Sequence, residues 1–290
     1  MRKASALIHR RITLLLATSA VSMLGAGICS AGPFFFSTGP VNSLMATASR
    51  PDSPPGSEIE SADDFVLTSG LTRITSATFT GLMPVGFSVS GVAVEIYRVF
   101  PRDSANPPDG RVPTRVNSPS DVAFADRDTA SGNLTFTTSI LAASFTAQNS
   151  VLNGINPTPN QTTGGEGPVT GQEVEFDVTF TTPIDLLPDH YFFIPQVLLS
   201  NGNFFWLSAS RPIVSPGTAF APDLQSWIRN AALDPDWLRI GTDIVGPSTS
   251  APAPTFNGAF SLTGSVPEPG TAFLVGAGAI ALWRRRRRSA

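Results

Sequence analysis

His190 is the only histidine in the chain besides His9. It follows Asp189 and opens an aromatic run, Tyr191-Phe192-Phe193. An imidazole beside a carboxylate is half of a Ser-His-Asp triad, in which the acid orients the base. No Gly-x-Ser-x-Gly elbow presents a serine to it. We therefore read His190 as a strand-edge or turn residue. A single histidine also excludes a zinc site built from histidines.

Carboxylates are more numerous. Asp63-Asp64, Asp126-x-Asp128 and Asp234-x-Asp236 offer oxygen ligands, of which calcium takes about six to eight. The Gly and terminal Glu of an EF-hand loop are missing from all three. Glu173, Glu175 and Asp177 alternate along one segment, as a solvated strand face that guards a sheet edge would. Two carboxyls flanking a cleft could hydrolyse a glycosidic bond, but acids are too plentiful for their presence to discriminate. Trp206, Trp227 and Trp237, with Phe204 and Phe205 beside the first, are candidates for stacking on sugar rings. The same residues would serve as core packing, where large aromatics dominate. The expectation is no catalytic residue and no cofactor, with calcium as the alternative.

Charge and cysteine use narrow the classes further. The only cysteine is Cys29, close to the N-terminus. A chain processed beyond it has no disulfide, no thiol nucleophile and no cysteine metal site. Of 19 basic residues, four lie at Arg2, Lys3, Arg10 and Arg11 and five at Arg284 to Arg288. Ten arginines then face 22 acids between Gly32 and Glu268, a net charge near −12. Such a body repels nucleic acid and anionic lipid.

The elements that must position these residues read as strands. Helical periodicity is nearly absent between Gly32 and Ser265, whereas period-2 runs recur. Examples are Leu71 to Thr80, Val92 to Phe100 and Glu173 to Phe180. Tyr191 to Leu199 and Asn203 to Ser210 read as a hairpin across Ser200-Asn201-Gly202. Gly258 to Gly264 reads as a last strand, and Ser226 to Ala232 as a short helix. Turn-rich loops lie at Asn106 to Gly110 and Asn156 to Gly171, and a Ser/Pro/Ala linker at Pro247 to Pro254. Many short strands with Gly/Pro turns imply a mainly β body, an antiparallel β-sandwich of jelly-roll type. Ser61 to Leu67 followed by Ile74 to Gly81 resembles the opening of secreted bacterial β-sandwich domains. The Tyr191 to Ala209 pair resembles their closing aromatic hairpin. That resemblance implies fold and not activity.

Both ends read as processing signals. The basic n-region, the uncharged stretch Ile12 to Ile28 and the small residues at Ser30, Ala31 and Gly32 have the order of a secretory signal peptide. Its cleavage falls after Cys29-Ser30-Ala31; a retained N-terminal membrane helix is the alternative. At the other end, Val266-Pro267-Glu268-Pro269 precedes the uncharged run Thr271 to Trp283. Those 13 residues would span about 20 Å as a helix, short of a ~30 Å hydrocarbon core. Arg284, Arg285, Arg286, Arg287 and Arg288 follow as a cytoplasmic stop.

Pro267-Glu268-Pro269, the apolar segment and the arginine cluster, in that order, resemble the PEP-CTERM sorting signal of Gram-negative bacteria. Gly270-Thr271 stands where that family commonly has a Ser-Thr pair. The resemblance implies an exosortase, an integral membrane processing enzyme, as partner. It implies export across the inner membrane, transient anchoring by the tail, and release to the cell surface or extracellular matrix.

The expected organisation is a signal peptide over 1–31, a β body over 32–264 and a sorting tail over 265–290. The tail's membrane segment lies at about 271–283 and its basic stop at 284–288. The functional expectation is a non-enzymatic surface or matrix protein. The alternatives are a carbohydrate-binding sandwich that holds extracellular polysaccharide, and a secreted hydrolase.

Overall fold

The computed structural model describes residues 31–53, 56–68, 70–105, 110–155, 161–210 and 225–267. Pro33 to Val266 form one compact unit. The signal peptide, Glu268 to Ala290 with its expected membrane helix, Asn106 to Asp109 and Asn156 to Asn160 lie outside the described residues. Among the described residues no helix is long and apolar enough to cross a membrane.

The body is mainly β. Its strands are β1 (Gly32–Ser37), β2 (Val41–Ala48), β3 (Ile59–Leu67), β4 (Thr72–Met83), β5 (Val89–Val99), β6 (Pro119–Asp128) and β7 (Leu134–Ala147). There follow β8 (Ser150–Val151), β9 (Val169–Leu186), β10 (Asp189–Leu199), β11 (Phe205–Ala209), β12 (Trp227–Asn230), β13 (Leu238–Arg239) and β14 (Phe260–Val266). A single π-helical turn, Ile240–Val245, is the only helix among the described residues. Six strands form one sheet in the order β13-β12-β3-β10-β5-β6. The other sheet has eight strands: β1-β14-β4-β11-β2-β8, with β9 also beside β4 and β7 beside β9. The pairings are antiparallel except for β2 with β8.

The sheets are curled, and residues of both meet in the largest apolar cluster. Phe65, Val94, Ile96, Tyr191, Phe193 and Val197 come from the six-stranded sheet. Phe79, Val174, Phe176, Val178, Trp206 and Phe260 come from the other. On β9 the alternation seen in the sequence sends Val174, Phe176, Val178 and Phe180 inward and leaves Glu173, Glu175 and Asp177 outside. Phe79 stacks on Phe176, and Phe193 on Phe260, each at 4.8 Å between centroids. Such pairs add about 0.5–1.5 kcal/mol each to plain burial.

Three local expectations change. Ser226 to Ala232 holds a strand rather than a helix. Trp227 pairs with Ala62 and Arg229 with Glu60 on β3, and a four-residue strand is too short to display a period. Tyr191 to Leu199 and Phe205 to Ala209 are not a hairpin, because β10 belongs to the six-stranded sheet and β11 to the eight-stranded one. Between the two strands Phe204 is buried against Phe79 of β4 and Phe176 of β9, which draws the chain to the eight-stranded sheet. Glu173, Glu175 and Asp177 guard no edge, since β9 is flanked by β4 and β7.

Candidate functional site

The densest chemistry lies on the outward face of the six-stranded sheet, around Arg229. Strand alternation puts Glu60 and Ala62 of β3, Glu95 and Tyr97 of β5, Ile194 and Gln196 of β10, and Trp227 and Arg229 of β12 on this one face. The segment Leu233 to Trp237 covers part of it. Arg229 ion-pairs with Glu60, its cross-strand partner, and with Asp234 at 2.8 Å. Its guanidinium lies 4.3 Å from the ring centre of Trp237, a cation–π contact that strengthens on desolvation. Tyr97 meets that indole edge-on at 5.6 Å.

The Tyr97 hydroxyl is the hub. Its oxygen is 3.0 Å from Glu60 Oε1, 3.0 Å from Glu95 Oε2 and 2.8 Å from the donating Arg229 Nη2. A phenol has one proton to give. If it donates to Glu60, the partner of Arg229, then Glu95 must carry a proton and donate to the phenol oxygen. Burial pushes the Glu95 carboxyl up to about 8, and the neighbouring Glu60 adds to the rise. Burial likewise pushes Tyr97 up. Glu58, raised mainly by burial, accepts a bond from Gln196 Nε2 at 2.9 Å.

This arrangement holds a proton near neutral pH on a half-buried carboxyl. A glycosidase also pairs a protonated carboxyl with a second one, but it leaves space between them for the glycosidic oxygen. Here the Tyr97 hydroxyl bonds to both carboxyls, and with Arg229 it ties β3, β5 and β12 together. Strand faces alone could not single out Glu60 or Glu95. The only signal was at Glu95, a lone acid among the apolar residues Val92 to Tyr97; Glu60 shares its strand with Asp63 and Asp64 and gave none.

A second buried cation, Arg115, lies under the same cover. It pairs with Asp121 and, at 3.2 Å, with Asp236, and it stacks on Phe100 at 4.6 Å. His190 is not at an edge or a turn. It sits in β10, between β3 and β5, with Nε2 2.6 Å from Asp64 Oδ2. Its imidazole thus meets a carboxylate from a distant strand, while the adjacent Asp189 Oδ1 accepts its backbone N–H at 3.0 Å.

The acid pairs are drawn apart. Asp63 and Asp64 point to opposite faces of β3, toward Ser226 and His190. Asp128 accepts the Ser131 N–H at 2.7 Å and closes a turn. Asp234 and Asp236 pair with different arginines. Among the described residues no group of three or more His, Cys, Asp or Glu comes together to hold a metal.

Trp206, Trp227 and Trp237 form no exposed platform, which corrects the sugar-stacking expectation. They are 2%, 1% and 0% exposed. Trp206 packs on Gly258, where a Cβ would lie only 2.4 Å from the indole, and donates to Ala259 O at 2.9 Å. The other two belong to the apolar cluster of the outward face. The hollow beside Trp206, lined by Met45, Ile240 and Phe256, has room for about one water.

The remaining candidate begins in the last strand. Ser265 pairs with Arg73 on β4, and the strand ends at Val266 with Pro267 exposed. Residues 265–288 match the family model of the PEP-CTERM protein-sorting motif. The chain carries a PEP-CTERM sorting tail. The match spans Pro267, Glu268, Pro269 and Arg284 to Arg288; of these only Pro267 is among the described residues. The motif implies recognition by an exosortase, and it is consistent with export and a membrane-anchored tail. No curated protein and no solved structure matches the chain.

The PEP-CTERM tail joins the sheet without a linker. The Ser/Pro/Ala linker precedes β14 and does not follow it. Thr38, just past β1, bonds Gly258 O and Phe260 O at the start of β14. β1 and β14, neighbours in the sheet, therefore run antiparallel, and the start of β1 lies beside the end of β14.

Proposed function

We propose that this protein is an exported, non-catalytic component of the cell surface or extracellular matrix, delivered by exosortase processing of its PEP-CTERM tail. The observation that carries the reading is the join between the motif and β14. The tail follows the sheet at once, and β1, which begins just after the expected signal cleavage, lies beside it. Both processed ends of the body therefore leave from one pole. A body tethered at one pole stays clear of the membrane while both cuts are made. Its net charge near −12 adds repulsion from anionic headgroups. We read the two sheets as a sandwich of jelly-roll type, a scaffold whose stability comes from the aromatic core. No cofactor is part of this proposal; calcium is the competing reading, and a melt with and without calcium separates the two.

The test is the covalent state of the exported protein. Mass spectrometry of protein recovered from the cell exterior should show an N-terminus near Gly32 and no Trp283 to Arg288 peptide. Replacing Arg284 to Arg288 with serine should impair tail retention and recognition. Replacing Glu268 should leave a longer, membrane-bound form. Recovery of the wild-type protein from the exterior with the Trp283 to Arg288 peptide intact would reduce the tail to a permanent anchor.

A further inference from the structure

We propose that the free edge of β7 is a self-association surface, on which two copies of this chain join antiparallel about a two-fold axis. The inference is independent of the sorting reading. It begins with an asymmetry among the sheet margins. Among the described residues β7 pairs only with β9, so its other edge presents unpaired backbone N–H and C=O groups. The 14 residues Leu134 to Ala147 contain no charge, no proline and no glycine. Every residue from Thr137 to Leu141 is exposed, including Ile140 at 62% and Leu141 at 52%.

Natural sheets blunt such edges with charge, proline, bulges or brevity. The other margins here follow that rule. β8 and β13 have two residues each. β1 has six residues and opens with Gly32-Pro33. β6 starts at Pro119 and carries Asp121, Asp126, Arg127 and Asp128. β7 has only bulges against β9, after Ile140. The regular run Thr135 to Ile140 stays in unbroken register with β9 and is open to a partner.

The partner is a second copy because of charge. Two bodies near −12 repel each other over most orientations. Antiparallel pairing through β7 sets no like charges opposite one another, because the strand has none. The nearest acidic row, Glu173, Glu175 and Asp177, is one strand back on β9. Across the dimer it would lie about 14 Å from its copy, three strand spacings, which exceeds the Debye length of about 8 Å at physiological salt. Short strand addition of this kind gives main-chain affinity without a deep pocket. It is weak and concentration-dependent.

The register of β9 supplies a clean test. Thr137 lies opposite Asp177, and Ser139 opposite Glu175. In T137K/S139K each lysine gains an opposite charge within its own chain, while lysines confront lysines across the two-fold axis. The protein recovered from cells expressing the full chain should show a concentration-dependent dimer by sedimentation velocity. T137K/S139K should weaken that dimer at least about tenfold with no drop in melting temperature. As a second readout, single cysteines at Thr135, Thr137, Ser139 and Leu141 are oxidised in turn, with Val85→Cys as an exposed control. Paired Cα atoms about 4.5–5.5 Å apart suit a disulfide, so cross-linking should peak at one position and fall on either side. A wild-type protein monomeric up to about 100 µM, a dimer untouched by the lysine pair, or cross-links as frequent at Val85 as on β7 would overturn the proposal.

Discussion

The outward faces of the two sheets are opposites. On the six-stranded sheet the outward face is partly covered; Arg229, Glu60, Tyr97, His190 and Asp64 lie on it and Arg115 lies under the cover, all buried. On the eight-stranded sheet the outward face of β9 and β7 is open, lined by Glu173 and Glu175, both half-buried, by the exposed Asp177 and by threonines, and its charges reach water. The lesson concerns partners. A buried charge must be matched or neutralised, so the covered face is a network in which removing one group strands another. A solvated charge needs no match, so the open face carries like charges in a row. That freedom also leaves β7 open.

The largest expected effect is on the covered face. Arg229→Met keeps much of the side-chain length but leaves Glu60 without its cation, and should cost about 3–5 kcal/mol in urea unfolding. A loss under about 1 kcal/mol would mean that the two faces do not differ in kind.

Next is Glu95→Gln. The carboxyl titrates near 4.5 when unfolded and is pushed up to about 8 in the folded protein. Between those values the folded state holds a proton that the unfolded state has released. Wild-type stability should therefore fall as pH rises from 5 to 8, by about 2–4 kcal/mol from this group. Glu95→Gln should be less pH-dependent over that window, and thermal melts at pH 5 and pH 8 read the difference. Parallel curves for the two proteins would remove the proton from the Tyr97 hub.

On the open face the effects shrink. Glu175→Gln relieves repulsion with its neighbours on β9 and should shift stability by no more than about 0.5 kcal/mol, in the stabilising direction. The exposed Arg73–Asp185 pair, at 2.8 Å with both side chains about half in water, is the smallest case. Arg73→Ala should leave the melting midpoint within scatter, and only in low salt should a difference emerge.

The core face of the fold was legible in the sequence because alternation along a strand is a local property. Val174, Phe176, Val178 and Phe180 declare one face of β9 whatever the strand pairs with. The PEP-CTERM tail was legible for a similar reason: an enzyme reads it as a linear order of Pro-Glu-Pro, apolar run and arginines. The direction of the chain after Leu199 was not legible. A turn followed by an aromatic strand looks alike whether the chain folds back in one sheet or arches to the other. Phe204 favours the second outcome, and only once β4 and β9 are in place to bury it against Phe79 and Phe176. The tryptophans illustrate the same limit, since one residue type serves both a sugar platform and a core.

By itself the sequence determined the β periodicity, the absence of any cysteine beyond Cys29, the acidic balance of the body and the sorting address, all of which are local or additive. Only the tertiary structure decided that Glu60, Glu95, Tyr97 and Arg229 share one hub, that His190 answers to Asp64, that β7 is an edge while β9 is not, and that β1 and β14 bring the body's two ends together. These are pairings between residues far apart in the chain. Which strands become neighbours depends on burying every apolar face at once, and no single stretch of residues carries that information.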